Sequence, residues 1–163
     1  MTTEALRAGT GTAPREDSAE AAVRAIYAAY RAHDVERMVD LCTDNAGFRY
    51  VPFEVWGRQR VLYGEGKVRT VGKVIWTTLL DAFPDLACVV TSLRADGEGN
   101  VAAEVGIGGT QAKDFGSVAS AGGHYELPHL FLFSVTGDGL IDHVVAYWDN
   151  AGWKKQLGCL EVD

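Results

Sequence analysis

The chain has 163 residues, 47% hydrophobic and 23% charged, which is the balance of a globular protein and sets aside a disordered or fibrous one. Fifteen lysines and arginines face twenty-two acids, for a net charge of −7, so no cluster of phosphate-binding cations exists and nucleic acid is not an expected partner. No stretch approaches the ~18–20 apolar residues of a membrane helix, and no membrane partner is expected either.

Residues 1–16 include the small, polar run Ala8-Gly9-Thr10-Gly11-Thr12-Ala13-Pro14 and offer no apolar face. They are expected to form a disordered tail, with 17–163 as a single domain. The opening Met1-Thr2-Thr3-Glu4-Ala5 lacks the basic and then apolar run of a signal peptide, so the expected compartment is the cytoplasm. Cys42, Cys88 and Cys159 are an odd number at wide spacing, which fits reduced thiols better than disulfides or a zinc site.

Asp17 followed by Glu20 carries capping-box logic, and Ala22, Val23, Ile26, Tyr27 and Tyr30 then recur at helical spacing. His33-Asp34 breaks that helix. Asp34 can cap a second one, whose stripe is Val35, Met38, Val39 and Cys42. An extended segment follows at 47–53. A long helix is expected from Glu65 to Phe83, weakened by Gly66 and Gly72 and stopped by Phe83-Pro84-Asp85. The remainder reads as strands. Leu86–Arg94 and Val101–Gly109 flank the glycine-rich Ala95–Asn100, and His124–Val135 and Leu140–Asp149 flank Thr136-Gly137-Asp138-Gly139. Gln111–Gly123 is expected as loop, and Ala151–Leu157 as a last helical turn stopped by Gly158.

Helices first and an antiparallel meander after them make an α+β domain. The expected form is a cone-shaped barrel: a strongly curved antiparallel sheet with the N-terminal helices packed on its concave face. Such a cone encloses an apolar interior suited to a small molecule. Phe53, Trp56, Trp76, Phe131, Tyr147 and Tyr30 all lie on elements that can line it, although for any one aromatic core packing outweighs ligand contact.

Ile26-Tyr27-Ala28-Ala29-Tyr30-Arg31-Ala32-His33-Asp34, Phe83-Pro84-Asp85-Leu86, Asp96-Gly97, Gly109-Thr110 and the ending Tyr147-Trp148-Asp149-Asn150-Ala151-Gly152 through Gln156-Leu157-Gly158 together resemble the SnoaL-like polyketide cyclases. That family belongs to the nuclear-transport-factor-2-like superfamily, and the likeness spans roughly residues 20–160. The resemblance implies a homodimeric barrel without cofactor, acting on a small apolar substrate, and the lack of any His-x-x-x-His or Cys-x-x-Cys spacing leaves no metal expected. It also implies a carboxylate near the end of the last strand as acid/base in ring closure, and the matching position is Asp149. Two departures stand out. Gln111 follows Gly109-Thr110 where many members have histidine, and Val144-Val145-Ala146 is apolar where many carry a histidine or an acid.

An aspartate at its ordinary pKa of ~3.9 is a weak base for a polyketide methylene, and desolvation must raise it. Asp149 also precedes a helical turn, so capping that turn is its alternative role. His129 shares a strand face with Leu127, Phe131 and Phe133, which fits either a core histidine or an inward-facing group that donates a proton or orients a substrate carbonyl. Glu104, between Ala102 and Gly106 on its own face, is either a supporting acid or a solvated strand residue. Glu54 is read as an edge residue and His124 as loop surface. The function expected is a cyclase or isomerase acting on a carbonyl-bearing metabolite by general acid/base catalysis, with Asp149, His129 and Glu104 as catalytic groups. The alternatives are an epoxide-hydrolase-like enzyme and a non-catalytic binding or dimerisation module.

Overall fold

The computed structural model describes residues 18–52 and 64–159. The N-terminal tail, Phe53, Glu54 and Trp56 lie outside the described residues. Helix α1 (Ser18–Arg31) buries Ala22, Val23, Ile26, Tyr27 and Tyr30, the stripe that its spacing dictates. It ends at His33, whose φ of 56° is left-handed and whose Nε2 lies 2.9 Å from the Leu86 carbonyl oxygen. Asp34 then caps α2 (Val35–Asp40), its Oδ1 accepting the Arg37 N–H at 2.9 Å.

Strand β1 (Cys42–Pro52) leads to β2 (Gly64–Lys67), a π-helical stretch (Val68–Gly72) and α3 (Lys73–Ala82). The helix expected from Glu65 thus starts three residues late. Glu65, Gly66 and Lys67 instead pair antiparallel with Arg49, Phe48 and Gly47, because two glycines in four residues make a poor helix start and an open strand edge is alongside. Gly72 lies where a β-carbon would come within 2.9 Å of the Phe48 ring, so its lack of a side chain lets the start of α3 settle on β1.

The meander follows as expected: β3 (Ala87–Ala95), β4 (Asn100–Thr110), β5 (His124–Val135) and β6 (Ile141–Trp148), then α4 (Asn150–Gln156). The curved sheet runs β2-β1-β6-β5-β4-β3 and does not close. Neighbours are antiparallel except at one seam, where β1 runs parallel to β6 with Phe48 beside Val144 and Tyr50 beside Ala146. The inner face carries Phe48, Val144, Ala146, Phe131, Phe133, Ala103 and Val105, all buried against α1 and α3. No helix among the described residues is long and apolar enough to cross a membrane.

Candidate active site in the cone

Alternation along β5 sends every second residue inward, which brings Tyr125, His129 and Phe131 onto one wall of a cavity of about 120 Å³. Strand β1 adds Tyr50, β6 adds Trp148, and β4 adds Ile107. The helices close it with Tyr30 from α1, Ile75 and Leu79 from α3, and Trp153 from α4. The rings of His129 and Trp148 are parallel to within 1° with centroids 6.2 Å apart, and His129 stacks on Phe131 at 6.1 Å.

His129 is the group with the most to offer chemically. Its Nδ1 lies 3.1 Å from the Leu127 carbonyl oxygen. A carbonyl only accepts, so Nδ1 carries the hydrogen and Nε2 keeps its lone pair. Burial among aromatic rings pushes the imidazole pKa down to about 4, against a small rise from that hydrogen bond. At neutral pH the ring is therefore uncharged, a proton acceptor rather than the donor expected from sequence.

The tyrosines supply the donors. Trp76 gives its indole N–H to the Tyr50 hydroxyl oxygen at 3.0 Å, which leaves the Tyr50 O–H free to donate. Trp153 stands edge-on to the Tyr125 ring, their centroids 6.0 Å apart. Burial, reinforced by proximity to other phenols, raises the pKa of Tyr30, and burial likewise raises those of Tyr50 and Tyr125, keeping all three protonated. The Tyr30 hydroxyl and the Trp148 indole N–H are shielded from solvent and have no partner among the described residues. An unpartnered buried donor costs about 1–3 kcal/mol.

Other residues expected at the site lie elsewhere. Asp149 is exposed and caps α4, its Oδ1 accepting the Gly152 N–H at 2.8 Å. The inner residues of β6 are Val144, Ala146 and Trp148, so Asp149, the next residue, falls outside the cavity. Glu104 is exposed on the outer face of β4, level with Ser92 and Leu130, because Ala103 and Val105 take the inner face. Tyr147 is likewise outward, opposite Leu130. Neither Glu104 nor His129 therefore meets Asp149 across the cavity. Trp76 stands behind Tyr50 rather than on the wall. His124 is exposed at the start of β5, with Nδ1 3.0 Å from Thr110 Oγ1. Sequence reasoning passed over Tyr50, Tyr125 and Trp153. Extending the His129 face two residues beyond Leu127 reaches Tyr125, whereas nothing local marks the indole–phenol pairs. Among the described residues no group of histidine, cysteine and acid side chains can hold a metal ion.

A model of the SnoaL-like domain matches residues 23–144. No curated protein matches the chain in sequence. Among solved structures the chain is similar to AclR from Streptomyces galilaeus, assigned as a hydroxylase, at 19% identity and a TM-score of 0.69 over 88% of this chain and 87% of that one. A protein of Jannaschia sp. CCS1 assigned as a SnoaL-like polyketide cyclase gives 18% identity and a TM-score of 0.69, over 91% and 97% of the two chains. IdmH from Streptomyces antibioticus, also assigned as a polyketide cyclase, gives 22% and 0.68, over 86% and 98%. One fold thus carries proteins assigned to more than one reaction, and the reaction has to be argued from the site.

Proposed function

This chain belongs to the SnoaL-like domain family, and from that premise we propose that it is a cyclase or isomerase that enolises an apolar, carbonyl-bearing, polyketide-like metabolite in the cavity. One observation carries the reading. His129 is held by the Leu127 carbonyl so that its unprotonated Nε2 is left to accept, in a cavity whose other polar side chains, among the described residues, are tyrosines and tryptophans. An acceptor beside several donors is the arrangement that proton abstraction next to a carbonyl requires.

The steps follow from those roles. A methylene between two carbonyls gives its proton to His129 Nε2, and the electron pair moves onto a carbonyl oxygen that takes hydrogen bonds from Tyr50 and Tyr125. The enolate carbon then attacks another carbonyl carbon of the same ligand, and that oxygen recovers the proton from His129. Nothing is oxidised or reduced. Burial alone makes His129 a weak base, but the enolate beside the new imidazolium offsets this, because an opposite charge within ~4–6 Å favours the charged form. Opening an epoxide with a carboxylate pair is disfavoured, since Asp149 and Glu104 face away from the cavity. The reading includes a homodimer, for which exposed Leu130 and Leu132 beside Tyr147 and Val145 on the outer face offer a contact that sedimentation velocity can test.

Exchange of the methylene protons of 1-phenylbutane-1,3-dione in heavy water, followed by proton NMR, tests the mechanism. The protein should accelerate exchange, the His129→Phe variant should not, and Asp149→Asn should match wild type. A folded His129→Phe protein that exchanges at the wild-type rate overturns the assignment.

A further inference from the structure

The cavity meets solvent where its apolar lining is incompletely covered. Among the described apolar side chains that line it, Ile75, Leu79 and Phe115 are partly exposed and the rest are buried, so these three touch both the interior and the water outside. Ile75 and Leu79 belong to α3, whereas Phe115 belongs to residues 111–123, the connection between β4 and β5. That connection is far longer than the roughly 2–5 residues a hairpin needs, and connections of such length are often functional.

We infer that Phe115 is a specificity-determining residue: its ring is a fixed jaw at the mouth that limits the width of the ligand admitted, and Gln111 is the positioning residue that holds it there. This rests on the proposed use of the cavity and adds the residue that sets the width limit. Three observations carry it.

The first is how the connection is bonded to itself. Phe115 and Val118 exchange both backbone N–H···O bonds at 2.9 Å, around a turn in which Gly116 takes a left-handed φ of 57°. Gln111 is 1% exposed, and its Nε2 donates to the Val118 carbonyl at 3.1 Å. The Ser120 hydroxyl donates in turn to the Gln111 carbonyl at 2.9 Å. A side-chain amide buried so completely is tolerated through the bond it makes, and that bond goes to the residue paired with Phe115. The second is the anchoring of the ring. Phe115 stands edge-on to Phe83 at 6.4 Å and to Trp153 at 6.0 Å, while Trp153 meets Trp148 at 5.9 Å. Phe115 is therefore the outer end of an aromatic wall that begins deep in the cavity, and it cannot swing aside without uncovering its neighbours. The third is that the two sides of the mouth are tied together. The Ala112 N–H donates to the carbonyl of Ala82, the last residue of α3, at 2.8 Å. The mouth cannot widen by the connection lifting alone. The aliphatic tips of Ile75 and Leu79 can change rotamer, whereas a ring packed on two others resists displacement, so added ligand width is refused at Phe115.

Two diketones test this by calorimetric binding: 1-phenylbutane-1,3-dione and its wider relative 1-(4-tert-butylphenyl)butane-1,3-dione, which share the reacting methylene. Wild type should bind the slim ligand at least tenfold more tightly, although the added branch offers more apolar surface to bury. Phe115→Ala should bring the two within threefold. Phe115→Leu, which keeps an apolar anchor, should at least halve the wild-type ratio and stays informative if the alanine variant fails to fold. Gln111→Met, of similar length without the donor, should also at least halve it. In the exchange assay that change should fall on the KM of the wide ligand, whereas a general loosening of the fold would lower kcat for both. A wild-type ratio below tenfold overturns the inference, as does failure to bind either ligand at millimolar concentration. A folded Phe115→Leu protein whose ratio is not halved overturns it too. A ratio halved in Phe115→Leu and kept in Gln111→Met overturns the positioning role. Binding is read without turnover, so the two readings fail separately. Width selection without methylene exchange sinks the catalytic reading alone, and His129-dependent exchange without width selection sinks this one alone.

Discussion

Replacing His129 with phenylalanine should flatten the acid side of the stability profile, and the size of the effect follows from where the ring sits. An ordinary histidine takes up its proton near pH 6.5, whereas burial drives this one down to about 4. Between those values the unfolded chain holds more protons than the folded chain, so stability rises with pH in that window and is lost as acid is added. A gap of about 2.5 pH units at 1.36 kcal/mol each amounts to about 3 kcal/mol. That contribution is whole above pH 6.5, about 2 kcal/mol of it has gone by pH 5, and none remains well below pH 4. Phenylalanine keeps a ring to stack on Phe131 and Trp148 and removes the titration. Urea unfolding of both proteins at pH 7, 6 and 5 isolates the term, because every other ionisable group is shared. Wild type should lose about 2 kcal/mol more than the variant between pH 7 and 5. Parallel losses would mean that the His129 ring is solvated in the folded protein, and the neutral-acceptor role would fall with it.

Asp149→Ala should lower the melting temperature by about 2–4 °C, because losing an N-cap costs about 1 kcal/mol in a domain of this size, while Asp149→Asn, which still caps, should melt near wild type. Neither change should slow methylene exchange, and a folded Asp149→Asn protein without exchange would return the carboxylate to the mechanism. Tyr50→Phe strips the Trp76 N–H of its partner and should cost about 1–3 kcal/mol by urea unfolding. It should also slow exchange by roughly 10²-fold, the usual loss for an oxyanion donor. Gly123→Ala should cost about 1–3 kcal/mol by the same measurement, since a β-carbon there comes within 2.9 Å of the Leu157 backbone, which cannot swing aside like a side-chain tip.

The hairpins were readable because alternation and glycine-rich turns are local signals, and β5 occupies the span that its pattern marks out from His124 to Val135. The segment Gly64–Lys67 was not readable, since whether it becomes helix or strand depends on the free edge of β1. The same limit governs the site. Parity groups Asp149 correctly with Tyr147, Val145 and His143, but which of the two faces is interior depends on the helices that cover the sheet. Tyr30, His129 and Phe131 stand on apolar stripes whose burial the sequence implies. By contrast, the Trp76–Tyr50 hydrogen bond and the edge-on contact of Trp153 with Tyr125 are made by the folded backbone, and no spacing along the chain announces either pair.

The parallel seam between β1 and β6 has a consequence for how the protein comes into being. Four of the five strand pairings join strands that follow one another in the chain, whereas across the seam Cys42 meets Ile141 and Pro52 meets Trp148. Closing so long a loop costs more entropy than zipping a hairpin, so the meander from β3 to β6 has a head start and β1 must wait for it. On a ribosome, α1, α2 and β1 emerge first yet lack their template until Trp148 is out of the tunnel. Aromatic surface from Phe48 and Tyr50 is meanwhile uncovered, which makes the newborn N-terminal third the stretch most in need of a chaperone's cover.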